Sequence, residues 1–350
     1  MSQMADPQGQ IQPIATTNGA ALASRRQAIL VLGMHRSGTS ALTGVANALG
    51  AAAPKTTLGA DNWNQRGYFE SARLFVLLDE LLAAAGSRWD DWRPLDPQWF
   101  RSPAAASYRQ KIAALLVAEF DDAPLIVVKD PRICRFVPFV ASILAELGFR
   151  PVALLPVRNP LEVARSLQRR DKFAFAKTVL LWLRHVLDAE FHSRAMPRHF
   201  LPYDGLLADW RYHMDRAGET VGIAWPNRST GAEATIDAFL ALDLQHEKAG
   251  RGEIDDRQQV PALVRETYGI FNQILAAGET SALRARLDSA RTEFDAGCEL
   301  FGSAIAAEEL AMADAGLIAE RNALAAANSK LIDERDALAA ANDAMRRSRS

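Results

Sequence analysis

Ala28-Ile29-Leu30-Val31-Leu32-Gly33-Met34-His35-Arg36-Ser37-Gly38-Thr39-Ser40 decides the fold. The apolar run Ala28–Leu32 has no polar alternation, so it reads as a short strand with no solvent-facing side. Gly33 to Gly38 reads as a turn, and Thr39–Leu49 has helical composition and stops at Gly50. A strand, a glycine-bounded loop and a helix in this order aim free backbone N–H groups, and the positive end of the helix, at whatever lies beyond the strand. Gly33 and Gly38 allow a tight turn and close approach. Ser37, Thr39 and Ser40 add hydroxyl donors, and Arg36 adds charge. An ordinary glycine-rich turn between strand and helix has the same outline, so the loop alone implies only an anion after the first strand.

The spacing nearly satisfies the nucleotide phosphate loop GxxxxGK[ST], but position 39 is Thr where that motif has Lys. The lysine contact to a triphosphate is therefore missing. This weighs against the reading as a P-loop kinase or NTPase.

Working outward, Leu125–Val128 and Pro151–Val157 are two more short apolar runs, each followed by a helical stretch at Phe136–Leu147 and Pro160–Arg169. Strands alternating with helices predict an α/β fold, a P-loop-type parallel sheet flanked by helices. Further helices are expected at Ser71–Ala85, Ala104–Phe120, Phe173–Arg194 and Gly205–Ala217, with a strand at His199–Tyr203. Ligands of such sheets sit beyond the carboxyl ends of the strands. At the end of the third strand stands Arg158-Asn159-Pro160, where Asn159 suits a helix cap and Arg158 is placed to grip a phosphate bidentately. Ser166 follows eight residues after Arg158. Taken singly, Arg158 could be a surface ion pair and Ser166 an ordinary helix serine.

Arg-x7-Ser after a strand, together with an upstream [KR]-S-G-T-[TS] loop, resembles the PAPS-dependent sulfotransferase family over roughly residues 27–245. The resemblance implies that Arg36, Ser37, Gly38, Thr39 and Ser40 bind the 5′-phosphosulfate of PAPS and that Arg158 and Ser166 bind its 3′-phosphate. Lys129, in Val127-Val128-Lys129-Asp130-Pro131-Arg132, resembles a lysine that cytosolic and heparan-type members carry after the equivalent strand, and is expected at the transfer centre with Arg36. Cytosolic members place a histidine base two residues after that lysine. Pro131 stands there in this chain, so that base does not carry over. Asn62-Trp63-Asn64-Gln65-Arg66-Gly67-Tyr68-Phe69-Glu70 resembles the N-x-x-G-Y-[FW]-E segment of bacterial glycan-type sulfotransferases, which makes Glu70 the first candidate base and a glycan the expected acceptor. A Glu at the first turn of a helix is also favoured for purely structural reasons. Asp130 and His35 are the reserve candidates. Asp130 has Arg132 or Arg36 as alternative partners, and the alternative for His35 is simply to flank the phosphate site. Tyr203-Asp204 resembles a structural Y-[ED]-x-L element, with no chemistry assigned. The aromatic stretch Trp89–Phe100 either walls an acceptor cleft or fills the core.

The bulk properties agree with a soluble enzyme. Of 350 residues, 49% are apolar and 23% charged, and the net charge of −2 offers no field for wrapping nucleic acid. Cys134 and Cys298 form no framework, and the six histidines contain no HExxH pair, so no metal is expected. Ser24-Arg25-Arg26 before an apolar run faintly suggests an export signal, but His35 and Arg36 interrupt the run too early. No run reaches the length of a membrane span, and a cytoplasmic location is expected.

The tail differs in kind. Leu310, Leu317, Leu324, Leu331 and Leu338 recur every seven residues, with Asp314, Arg321, Asn328, Arg335 and Asn342 at the other core position. This predicts a C-terminal coiled-coil helix with a polar layer, or else one Ala-rich surface helix. The expected organisation is a disordered arm over 1–26, the PAPS-binding domain over 27–245, a loop and helical extension over 246–302, and the coiled coil over 303–346. The tail would serve a homo-oligomer or a partner protein. A scaffold built on that tail, with a vestigial phosphate site, is the non-enzymatic alternative.

Overall fold

The apolar runs pair side by side into one four-stranded, all-parallel sheet of order β2-β1-β3-β4 in the computed structural model, which describes residues 26–59, 67–240, 254, 260–305, 307–308 and 324. The strands are β1 (Arg26–Val31), β2 (Leu125–Lys129), β3 (Phe149–Val157) and β4 (Arg198–Pro202). Arg26, expected in the arm, is already in β1. Register puts Val31 of β1 opposite Lys129 on one side and Leu154 on the other, so β1 and β2 end level and β3 runs on to Val157.

Between the strands run α1 (Thr39–Ala48), α2 (Ala72–Ala84), α3 (Pro103–Phe120), α4 (Val137–Glu146), α5 (Pro160–Asp171) and α6 (Phe175–His192). After β4 come α7 (Tyr203–Ala208), α8 (Trp210–Val221), α9 (Thr230–Phe239) and α10 (Ala262–Ala277). Parallel pairing requires each crossover to pass over a sheet face, and so both faces are covered. One face carries Ile29, Val31, Val127, Val152 and Leu154 against Leu42, Val45 and Leu49 of α1 and Trp210 and Met214 of α8. Their alternates Ala28, Leu30, Ile126 and Val128 are buried on the other face.

Three boundaries differ from the sequence expectation. The helix expected at Gly205–Ala217 is two helices, because Asp209 leaves helical geometry and accepts the backbone N–H of Tyr212 at 3.1 Å, capping a new start. The strand expected to include Tyr203 stops at Pro202. The helix expected from Phe136 begins as a 3-10 segment at Pro131–Phe136, with Asp130 as its cap.

The chain falls into two units, Met1–Arg291 and Thr292–Ser350. Within the first, α10 lays Phe271 against Phe200 of β4 at 5.7 Å between ring centroids, so this part of the extension belongs with the sheet. Residues 281–291 are helical. In the second unit residues 292–305 are helical, with Leu300 and Phe301 exposed. Of the heptad leucines only Leu324 is described, helical and exposed; the others, the 1–25 arm and most of 241–259 lie outside the described residues. No helix among the described residues is long and apolar enough to cross a membrane.

Candidate active site

The loop after β1 holds its shape by backbone strain and packing. Arg36 adopts φ +69° and Gly38 φ +89°. A non-glycine residue in that region persists only when its surroundings hold it there, and such residues cluster at functional sites. Gly38 caps α1 with no side-chain bond, leaving the helix N-terminus to backbone N–H groups alone. The Gly38 Cα lies so close to the Tyr203 ring that a Cβ there would meet Cδ2 at 2.2 Å.

The two motifs singled out in the sequence meet here. Arg36 donates from Nε to Ser166 Oγ at 2.7 Å, and Arg158 donates from Nη1 to the Arg36 carbonyl at 2.8 Å. Asn159 caps α5 by accepting the Leu161 N–H at 2.9 Å, which fixes the direction in which the helix carries Ser166. Arg158 is held from two further sides. Its Nε donates to Glu162 Oε2 at 2.9 Å, and its guanidinium lies 4.5 Å over the Tyr203 ring. Glu162 and Tyr203 therefore position the arginine. Sequence reasoning gave neither this part, although Glu162 stands at the i,i+4 spacing from Arg158 that pairs on a helix.

The hydroxyl of Ser37 is buried and has no hydrogen-bond partner in the protein. A buried polar atom left in this way is costly unless a ligand or water completes it. Burial lowers the proton affinity of the Arg36 guanidinium, and the charges of Arg170 and Arg158 lower it further. An orphaned donor beside crowded guanidiniums fits an anionic group.

A second cluster stands at the end of β2. Lys129 Nζ donates to Glu70 Oε1 at 2.5 Å, to the Tyr68 carbonyl at 3.0 Å and to Ser40 Oγ at 3.2 Å. Both ends of the pair are buried, Lys129 at 4% and Glu70 at 2% exposure. Ser40 lies in the first turn of α1. An ammonium group thus stands at the first turn of α1, reaching it from the neighbouring strand. Glu70 is fixed from behind: its carbonyl accepts the Leu58 N–H at 2.8 Å, and Ser71 caps α2 by accepting the Leu74 N–H at 3.1 Å. Residues 60–66 of the segment leading to Glu70 lie outside the described residues.

The reserve candidates divide. Asp130 receives Arg132 through Nη1 at 3.1 and 3.0 Å and through its backbone N–H at 2.9 Å. Burial outweighs that pairing and, with the charge of Glu70, lifts the carboxyl to about 6. His35 turns its ring edge-on to Trp89 at 5.0 Å, and its Nε2 is buried without a partner. Burial first, then the charges of Arg170 and Arg132, hold His35 well below the usual imidazole range, so it is neutral at pH 7. Thr39 is buried, its carbonyl accepting the Thr43 hydroxyl at 2.8 Å.

The aromatic stretch also divides. Trp99 and Phe100 pack on Tyr108, Phe136 and Phe139, and Trp92 is buried with its carbonyl accepting Arg184 Nε at 2.9 Å. Trp92 is thus in the core, and Trp99 and Phe100 are half-buried against it. Trp89 reaches the loop, with its ring against His35. Among the described residues, no group of three or more His, Cys, Asp and Glu is placed to hold a metal ion.

No family model matches the chain, and no curated protein matches it. Among solved structures it is similar to the sulfotransferase domain from the Synechococcus PCC 7002 olefin synthase, at 17% identity over 73% of this chain and 95% of that one, with a TM-score of 0.39. It is similar to the sulfotransferase domain from the curacin biosynthetic pathway at 16% identity, covering 72% of this chain and 99% of that one, with a TM-score of 0.39. Sulfotransferase STF1 from Mycobacterium tuberculosis H37Rv matches at 13% identity over 62% of this chain and 72% of that one, with a TM-score of 0.35. All three likenesses are distant.

Proposed function

We propose that the chain is a sulfotransferase that moves a sulfuryl group from PAPS to an acceptor hydroxyl. The observation that carries this reading is the junction of the two motifs: Arg36 Nε on Ser166 Oγ at 2.7 Å and Arg158 Nη1 on the Arg36 carbonyl at 2.8 Å. That junction gathers guanidinium and hydroxyl donors in addition to the backbone N–H groups of the α1 N-terminus, and a donor with two anionic groups needs two such sets. A nucleotide without a 3′-phosphate has no use for the second.

In this reading the first turn of α1, Ser37, Ser40 and Lys129 hold the 5′ end of the donor. Arg158 and Ser166 hold the 3′-phosphate, and Arg36, assigned with Ser37 to the 5′ end, is braced there by its Nε bond to Ser166. The acceptor oxygen forms its bond to sulfur as the bond from sulfur to the phosphate oxygen breaks, and the electron pair leaves with PAP. Lys129 sits where charge on the transferring oxygens needs a cation. Glu70, against the same ammonium, takes the acceptor proton. Asp130, paired with Arg132, and His35, neutral with its Nε2 unpartnered, are the reserve bases in that order. The acceptor is taken to be a glycan on the resemblance of the segment ending at Glu70, and the heptad tail is taken to join copies of the chain or a partner protein, in a cytoplasmic setting.

The test is calorimetric titration with PAP, adenosine 5′-monophosphate and ATP, followed by transfer of labelled sulfuryl from PAPS to a panel of glycans, lipids and phenols. PAP binding well above the other two, with transfer to at least one acceptor, supports the reading. ATP turnover without PAP binding overturns it in favour of an NTPase.

A further inference from the structure

Helices α2 and α3 pack together and leave a groove of about 600 Å³ open to solvent. Its floor is apolar, made of Val76 and Leu77 from α2 and Ala114 and Leu115 from α3. Val76 is 55% exposed, so apolar surface in the groove is left in water, where burial would be favourable. The rim is basic on balance. Arg73 and Lys111 stand there, both exposed, against the single carboxylate of Glu80. Lys111 is steadied at the rim: its ammonium lies 5.0 Å over the Tyr108 ring, and the Tyr108 hydroxyl donates to the Glu80 carbonyl at 3.2 Å. An apolar floor between cations fits the apolar face of an acidic amphipathic helix.

The chain itself carries such a segment. From Glu308 to Asp343 it has eight acidic residues against three basic ones, with a leucine every seven residues from Leu310 to Leu338. The apolar stripe is narrow, because Asp314, Arg321, Asn328, Arg335 and Asn342 occupy the other core position. A parallel pair of these tails would set Arg321 against Arg321 and Arg335 against Arg335 in the seam, where like charges repel. An antiparallel pair would face the same charges with leucines and leave them without a partner. A single row of leucines is better covered by an apolar groove than by its own copy. Leu324, the described member of the row, is helical and 65% exposed. The acidic excess of the tail complements Arg73 and Lys111.

We propose that the α2–α3 groove is the docking site for the heptad tail of a second copy of this chain. Each copy offers one tail and one groove, so a mutual exchange closes a twofold dimer with no open end. The proposal rests on the reading of the tail as a segment that joins copies of the chain, and it names the surface that the tail meets. The groove is built from residues that take no part in the anion site, so the dimer contact and donor binding are separate properties.

The test is sedimentation of the full chain at micromolar concentration in four forms: unaltered, Val76→Glu, Arg73→Glu combined with Lys111→Glu, and Leu324→Glu. The unaltered chain is expected to be a dimer. Val76→Glu puts an unpaired carboxylate under the docked leucines and should weaken the dimer by roughly tenfold or more. The double charge reversal should weaken it too, and the unaltered dimer should loosen as salt rises, since charges at an open rim are screened. Leu324→Glu should weaken it from the side of the tail. The double reversal changes exposed side chains alone, so it decides the matter if Val76→Glu does not fold. A dimer that Leu324→Glu weakens while the groove variants leave it intact means that tail pairs with tail, and overturns the groove. A dimer that the groove variants weaken while Leu324→Glu leaves it intact overturns the tail as occupant. A monomeric unaltered chain overturns both this proposal and the reading of the tail on which it rests.

Discussion

Arg36 Nε and Ser166 Oγ meet at 2.7 Å although 130 residues separate them in the chain. The contact joins the loop after β1 to the helix after β3, so removing either end loosens an anion site and not the sheet. Ser166→Ala is expected to weaken PAP by about 1 kcal/mol, and Arg158→Ala by about 2–3 kcal/mol because a charge-assisted contact is lost. Ser166→Ala should unfold within about 1 kcal/mol of the unaltered chain, whereas Arg158→Ala takes the guanidinium from the buried Glu162 carboxylate and should cost about 3 kcal/mol. Calorimetry with PAP, set beside urea denaturation, checks both halves. An Arg158→Ala protein that binds PAP normally removes the basis of the assignment.

Lys129 and Glu70 pose the opposite situation, a buried ion pair in which each residue stabilises the other's charge. Lys129→Met should leave the Glu70 carboxylate buried and unpaired, at a cost of about 3–5 kcal/mol. Adding Glu70→Gln to it should return most of that stability and none of the activity. Glu70→Gln alone should lower sulfuryl transfer on the order of 100-fold with little change in PAP affinity. Urea midpoints for the three proteins test the pairing, and turnover tests the base. Near-normal turnover in Glu70→Gln would move the proton to Asp130 or His35.

Much of this was legible in the sequence, for reasons that show where legibility stops. The runs at 28–32, 125–128 and 151–157 read as strands because a sheet covered on both faces demands uninterrupted apolar residues. Arg36, Arg158 and Ser166 were singled out by their offsets from strand ends together with the resemblance that those offsets carry, and the structure brings the three together. The Lys129–Glu70 pair was invisible as a pair: the residues lie 59 apart, on elements whose relative placement no periodicity encodes. The break at Asp209 was missed because one polar residue between two helical stretches looks like helix, and only its extended φ of −150° makes it a cap. Tyr203 was read as structural filler, yet its ring bounds both Gly38 and Arg158. Contacts of that kind depend on side-chain direction after the sheet has formed.

Acid should destabilise the protein before any carboxylate network is titrated. Burial holds His185 at about 3 and His199 at about 4, and holds His35 well below its usual range. In the unfolded chain all three take protons near about 6.5. Their contribution is therefore complete above that pH and is lost as pH falls towards their folded values. Asp130 has the opposite sign: its folded carboxyl, lifted to about 6, binds a proton that the unfolded one does not, so it adds stability as pH falls from 6 towards the ordinary carboxylate range. The histidines outnumber it. Unfolding free energy should fall below pH 6.5 by about 1.4 kcal/mol per pH unit for each net proton. Urea denaturation at about pH 7.5 and about pH 5 measures the slope, and His185→Asn should reduce it by about one proton. A flat or inverted profile would contradict the neutral burial of these rings.

Gly38 offers the sharpest single substitution, because two independent penalties fall on one added methyl group. Its φ of +89° is a conformation that an L-residue enters at a cost of about 1–2 kcal/mol. Its Cβ would also stand 2.2 Å from Tyr203 Cδ2, and that ring cannot retreat without releasing the Arg158 guanidinium stacked on it at 4.5 Å. Gly38→Ala should therefore destabilise the protein by about 2–4 kcal/mol and weaken PAP as well, since the retreat of Tyr203 carries Arg158 with it. Combining it with Tyr203→Ala separates the two penalties. The clash disappears, the backbone cost stays, and the double variant should be more stable than the sum of the single changes predicts by about 1–2 kcal/mol. PAP affinity should not recover in the double variant, because Arg158 has lost the ring beneath it. Strict additivity of the two changes in urea would mean that the ring and the loop do not touch in solution, and the packed geometry of the anion site would fall with it.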